Sequence, residues 1–83
     1  MTPRRLLRLG RVKDLTGLGT TSVYGHIQLG LMPPPIKLTE RTSAWPEDEI
    51  AAINAARIAG KSNKEIRQLV TELVAARKQA VAP

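Results

Sequence analysis

A mostly helical fold with one small β-hairpin is what this sequence predicts, and three features carry the expectation. Between Leu15 and Gly30 the run LTGLGTTSVYGHIQLG reads as the end of one short helix, a tight turn at Gly17 to Gly19, and a second helix that starts at Gly19 or Thr20 and stops at Gly30. Three consecutive prolines, Pro33 to Pro35, then forbid helix and lead into an alternating apolar and basic segment. Beyond Gly60 a capping signal opens the longest apolar stripe in the chain. Two helices about a tight turn, followed at once by a hairpin, have the layout of a winged helix-turn-helix, whose second helix is offered to the DNA major groove.

Composition limits what else the chain can be. The 83 residues suffice for one domain, or one small domain with an appendage, and a chain of this size buries only a little over about 60% of its unfolded surface. One Trp, one Tyr and no Phe leave nearly all of that burial to aliphatic side chains. With no Cys and a single His, disulfides, Cys/His zinc fingers and thiol catalysis are excluded, and neither a metal nor a cofactor is expected. The N-terminal MTPRRLLRLGRVK lacks the apolar core of a secretory signal, and no run approaches the roughly 20 apolar residues of a membrane span, so a cytoplasmic protein with no membrane partner is expected. Thirteen Lys and Arg against seven Asp and Glu give a net charge of +6. Polyanions are the natural partners of such a chain, although charge that merely keeps a small protein soluble would look the same.

In chain order, Leu6, Leu7 and Leu9 among the arginines of RRLLRL suit a short strand or an extended lead-in, which Gly10 breaks. A helix of one to two turns follows from Arg11 to Thr16, with Val12 and Leu15 as its inward edge, and Gly17 ends it. In the second helix Val23 and Ile27 share the docking side, while Thr21, Gly25 and Gln28 fall opposite. Gly25 in mid-helix costs about 1 kcal/mol relative to Ala. It marks either a close approach to a DNA backbone or an unoptimised surface position. Ile36, Lys37 and Leu38 then alternate as a half-buried strand, Thr39 to Arg41 turn, and Thr42 to Trp45 return, which makes the wing. No Asn-Gly or Asp-Gly pair specifies the turn.

Pro46 suits the first position of a third helix, and Glu47, Asp48 and Glu49 complement its dipole. These carboxylates are assigned to structure rather than to catalysis, because consecutive helical residues diverge and no His, Cys or phosphate loop accompanies them. Ile50 and Ile53 face inward until Gly60 stops the helix. Ser62 and Glu65 form a capping box for a last helix, Asn63 to about Ala80, whose stripe is Ile66, Leu69, Val70, Leu73 and Val74. The chain accordingly divides into residues 1–60, the winged unit, and residues 61–83, a helix for docking or for oligomerisation through that stripe.

The ordered set LLRL, V-x-x-L-T-G-L at Val12 to Leu18, S-V-Y at Ser22 to Tyr24, I-x-x-G at Ile27 to Gly30, P-x-P-I-K-L at Pro33 to Leu38, Arg41, and W-P-E-D-E-I at Trp45 to Ile50 resembles the AlpA family of small phage- and island-encoded regulators. That resemblance implies a MerR-like winged helix-turn-helix shared with phage excisionases. Relatives often carry arginine where this chain has Thr20 and Gly25. The attraction to DNA is thereby shifted toward Lys37, Arg41 and the arginines near the N-terminus.

Thr20, Thr21, Ser22, Tyr24, Gly25 and Gln28 are therefore the candidates for the groove, with Lys37 and Arg41 on phosphate or in the minor groove. Ser22 can turn partly inward, Tyr24 can lay its ring on the wing, and Arg41 can instead pair with Glu40 or with an acid of the next helix. His26 is expected in a partly buried structural role, and Trp45 as the core anchor rather than a stacking platform. The expected activity is sequence-specific binding of double-stranded DNA, as a transcriptional regulator or as an excisionase. Expected partners are a homo-oligomer on the DNA and an integrase or RNA polymerase, with no small-molecule substrate. An enzyme is not expected. The alternative from a different class is a protein-interaction module that uses the last helix and carries incidental charge.

Overall fold

Among the described residues four helices and three short strands follow one another closely. The structure, a computed structural model, describes residues 4–79. The elements are β1 (Leu6–Leu7), α1 (Leu9–Thr16), α2 (Thr20–Gln28), β2 (Ile36–Thr39), β3 (Thr42–Pro46), α3 (Glu47–Ile58) and α4 (Asn63–Gln79). Mostly α with a small hairpin is thus the architecture, and the hairpin gains a strand. β1 pairs antiparallel with β3, Leu6 opposite Pro46 and Leu7 opposite Trp45, so the sheet order is β1-β3-β2. Among the described residues no helix is long and apolar enough to cross a membrane.

α1 begins two residues earlier than its spacing suggests, and Gly10 lies inside its first turn instead of breaking the chain before it. The extended Arg8 supplies the reason: its carbonyl accepts from the Arg11 and Val12 amides at 3.0 and 3.1 Å. Glycine costs a helix only conformational freedom and removes no backbone donor, so Gly10 is carried in the first turn instead of ending the chain's lead-in. Val12 is fully buried, but Leu15 is 42% exposed rather than inward. A step of three residues turns the side chain about 60° around the helix, which in so short a helix carries it past the edge of the core.

The turn into α2 depends on Gly17, whose φ of +76° places it in the left-handed region and whose amide donates to the Lys13 carbonyl at 2.8 Å. A Cβ there would meet nothing within 4 Å, so the demand for glycine is one of backbone conformation alone. Thr16 braces the same turn, its hydroxyl donating to the Val12 carbonyl at 2.7 Å and accepting from the Leu18 amide at 3.3 Å.

In the wing, Ile36 faces Ala44 and Lys37 faces Ser43, but Thr39 faces Thr42, so the register slips by one at Leu38. Tight two-residue hairpins ordinarily need positive φ, and no residue other than glycine has it here. The bulge absorbs the mismatch instead. Leu38 is the residue left over, and it is 46% exposed rather than half-buried. Pro46 is also placed differently from expectation. It closes β3 in an extended conformation, φ −61° and ψ 131°, and caps α3 rather than opening it.

Two apolar clusters hold the elements together. The first gathers Leu7, Val12, Val23, Met32, Trp45 and Ile50. Trp45 is fully buried and its indole N–H donates to the Pro33 carbonyl at 3.0 Å, which pins the proline segment to β3. The second joins Leu31 and Ile53 to Ile66 and Val70 of α4, with Leu69, Leu73 and Val74 half-buried at its margin. The stripe of α4 thus docks on its own chain.

The capping box is formed as its spacing requires. The Ser62 amide donates to Glu65 Oε1 at 3.1 Å and the Glu65 amide donates to Ser62 Oγ at 3.2 Å. The Ser62 amide first, then the Ser62 hydroxyl, and last the charge of Lys61 hold the Glu65 carboxyl below its ordinary value of 4.5. A carboxyl lowered on folding adds stability above the unfolded value, and that stability is lost as pH falls through the folded one. In an NMR titration Glu65 is expected to ionise with a midpoint below 4.5. Ser62→Ala keeps the amide bond and removes only the hydroxyl, so the midpoint should rise part of the way toward the ordinary value, and an unmoved midpoint would mean that the hydroxyl contributes nothing to holding the charge.

Candidate nucleic-acid interface

α2 separates its two faces cleanly. Val23, fully buried, and Ile27, half-buried, fix the inner side against the first cluster. Thr20, Thr21, Ser22, Tyr24 and Gln28 are exposed, and Gly25 is half-buried. Thr21, Tyr24 and Gln28 recur at steps of three and four residues, so they lie along one line of the helix surface. The first turn of α2 has no acidic residue, and the Gly19 cap adds no side-chain hydrogen bond, which leaves its leading amides open.

The start of α1, the middle of α2 and the wing meet in one hollow lined by Arg8, Leu9, Gly10, Tyr24, Arg41, Ser43 and Trp45. Two guanidinium groups and no carboxylate line it. The Tyr24 ring lies against Trp45, centroids 6.4 Å apart and planes tilted by 59°, so the wing supports the ring while Tyr24 stays 44% exposed. Lys37 is the register partner of Ser43, and paired residues of antiparallel strands point to the same side of the sheet. Lys37 therefore joins the face that holds the hollow. Among the described residues Lys37, Arg41 and Arg8 make no ion pair, so neither Glu40 nor the acids of α3 neutralise Arg41.

Not all N-terminal arginines are available in this way. Arg4 is bound to Asp48 at 3.0 Å and Arg5 to Glu47 at 3.6 Å. The hydrogen bond to Asp48, followed by the charge of Asp48 and then that of Glu49, raises the Arg4 pKa above its ordinary value against the opposing effect of burial. The carboxylates of the third helix thus serve as anchors for the strand lead-in. Arg8, which spacing alone did not single out, is the arginine brought to the hollow. His26 is half-buried, with Arg57 Nη2 3.4 Å from its Nδ1, the arginine donating.

The largest addition to the sequence reading is Glu49. It is 1% exposed and is met by Arg77 of α4 through two bonds, Nη2 to Oε1 at 2.6 Å and Nε to Oε2 at 2.8 Å. Arg4 adds a third contact at 3.3 Å. The signal for this pair was periodicity. Glu49 precedes the buried Ile53 by four positions, and Arg77 follows Leu73 by four, so each extends an inward stripe.

The comparisons with known proteins fall on the same segments. The sequence model of the family described as "Prophage CP4-57 regulatory protein (AlpA)" matches residues 5–57. The chain belongs to the AlpA family. That family is one of phage regulatory proteins. The chain is also 38% identical over 61 residues to a protein of Enterobacteria phage P4 named "Uncharacterized protein ORF88", an overlap covering 74% of this chain and 69% of that one. No solved structure matches. In this AlpA-family chain the match takes in β1 to all but the last residue of α3, and α4 lies outside it.

Gly25 yields a test of the surface that needs no ligand. Its φ is not positive and a Cβ would meet nothing within 4 Å, so nothing inside the protein asks for glycine. Gly25→Ala should stabilise the free protein by about 0.5–1 kcal/mol, read as a higher urea midpoint. A loss of stability would show that the position is constrained from within.

Proposed function

We propose that this AlpA-family protein binds double-stranded DNA sequence-specifically, with α2 in the major groove and the wing on the adjacent backbone. The observation that carries the reading is the shared hollow, where the exposed face of α2 meets Arg41 of the wing and Arg8 with no carboxylate between them. Thr20, Thr21 and Ser22 donate to phosphate oxygens beside the open first turn of α2, where the helix dipole favours an anion. Gln28 pairs with a base edge, adenine by its geometry, and Tyr24 offers its hydroxyl. Gly25 lets the backbone come close. Lys37 and Arg41 hold phosphates or reach the minor groove.

The regulatory character of the family supports a role in a prophage or integrative element, as transcriptional regulator or as excisionase. Both roles use one mechanism and differ in whether RNA polymerase or an integrase responds to the occupied site. The half-buried edge of the α4 stripe, Leu69, Leu73 and Val74, is the surface through which neighbouring copies would associate on that DNA, while Ile66 and Val70 hold the helix to its own chain. An integrase gene alongside this one would favour the excisionase role.

Gel-shift titration against the DNA upstream of the protein's own gene, repeated at several salt concentrations, tests the core of the proposal. The logarithm of the binding constant should fall with log salt by about 0.9 per phosphate contacted, and a specific site should outcompete random duplex. Lys37→Ala and Arg41→Ala should each weaken binding to every sequence and reduce that slope by about 1. Gln28→Ala should instead relax preference at particular bases by about 1–3 kcal/mol. If no duplex is preferred over random sequence, the reading fails. If the wing changes alone erase specificity, α2 is not the reading element.

A further inference from the structure

The connection between α2 and β2 has an unusual way of being held. Pro33, Pro34 and Pro35 have no amide hydrogens, so this stretch cannot support itself through a backbone ladder. Its carbonyls are met instead by side chains from other elements. Arg67 Nε donates to the Leu29 carbonyl at 2.8 Å, at the point where α2 ends. Arg77 Nη2 donates to the Pro34 carbonyl at 2.8 Å, just before the wing begins. Between them the Trp45 indole holds Pro33 at 3.0 Å.

Both arginines come from α4, and Arg77 is itself fixed by its two bonds to the buried Glu49. The Arg67 stem runs across the turn as well, its Cγ 3.5 Å from where a Cβ on Gly30 would sit. We infer that Arg67 and Arg77 are positioning residues that set the separation of α2 from the wing by gripping the connection at its two ends. This rests on the reading that α2 and the wing engage one DNA site together. It also assigns work to the helix that lies beyond the family match. If α4 merely filled out the core, Ile66 and Val70 would suffice and the two guanidinium groups would be dispensable.

The test uses the full chain with Arg67→Met, Arg77→Met and the double change Glu49→Gln, Arg77→Met. The double change removes the buried charge on both sides and guards against simple unfolding. Circular dichroism and thermal melts establish that each variant is folded. The first readout is amide hydrogen exchange without DNA. Exchange in Ile36–Thr39 and in the last turn of α2 should quicken at least tenfold, while the amides of α1 stay as in the wild type. The second is ethylation interference on a duplex that the wild-type chain selects from a random pool. Phosphates contacted by the wing should drop out of the pattern, those under α2 should remain, and the salt slope should shrink by about 1 to 2.

Wild-type exchange rates in folded variants would overturn the inference, as would an unchanged interference pattern. Global unfolding of Arg67→Met, whose side chain is on the surface, would make that residue a plain support of the fold and overturn its assignment. If the wild-type chain selects no duplex, the DNA reading fails and the exchange experiment still decides whether α4 holds the connection.

Discussion

A carboxylate that is 1% exposed must be answered by cations, and Glu49 is answered from both ends of the chain. An unpaired charge at such a site would cost several kcal/mol, while a two-bond guanidinium pair offsets most of that cost and fixes geometry in the same step. Arg77 reaches Glu49 from α4 and Arg4 reaches it from the lead-in to β1, so three segments distant in sequence are tied at one point. Pairs of this kind are modest contributors to net stability when compared with an apolar replacement. What this one supplies is placement, since together with the apolar contacts of Ile66 and Val70 it holds α4 along α3 where its arginines reach the Leu29 and Pro34 carbonyls.

The same pair changes how the net charge should be read. Of the thirteen cationic side chains, several are committed within the fold: Arg4, Arg5, Lys61 and Arg77 to carboxylates, Arg67 to a backbone carbonyl. The attraction that a polyanion would feel comes from the remainder, and its position is uneven. Arg8, Lys37 and Arg41 stand on the side where α2 shows its hydroxyls and its one exposed glutamine, whereas Lys64 and Lys78 lie on the outer side of α4. Each ion pair takes one cation and one carboxylate out together, so the net charge of +6 is unchanged, and what it leaves out is the direction of the field.

Much of this fold was legible because its signals are local. The Gly17 turn, the capping box at Ser62 and Glu65 and the proline stop each depend on residues within a few positions of one another, and each is formed. The exposed face of α2 followed from the same helical period that buries Val23. The differences have local causes too: Gly10 falls in a first turn and breaks nothing, Leu15 sits on a helix too short to turn it inward, and a bulge displaces Leu38 from the inward strand position. Pro46 closes a strand that needs its extended ψ and caps the helix it would otherwise open. What could not be read was tertiary. The pairing of β1 with β3, the arrival of Arg8 beside Tyr24, and the 28-residue separation of Glu49 from Arg77 become visible only once the chain is closed.

α2 carries no Lys or Arg, so on the proposed DNA reading its side chains would discriminate among duplexes but add little to the attraction that would hold one in place. Attraction and discrimination are thus divided between elements joined by a proline segment that has few backbone donors. A small aliphatic core can bury that segment, as it does Leu31, Met32 and Pro33, but apolar burial is not directional and cannot by itself fix a distance. Hydrogen bonds can. The carbonyls at Leu29, Pro33 and Pro34 are each taken by a long or rigid side chain anchored elsewhere, and two of those side chains belong to α4. In a chain with one tryptophan and no phenylalanine, polar pins of this sort replace the shape-fixing that a larger aromatic core would supply. The last helix then takes part in placing α2 against the wing even though none of its residues lines the hollow between them.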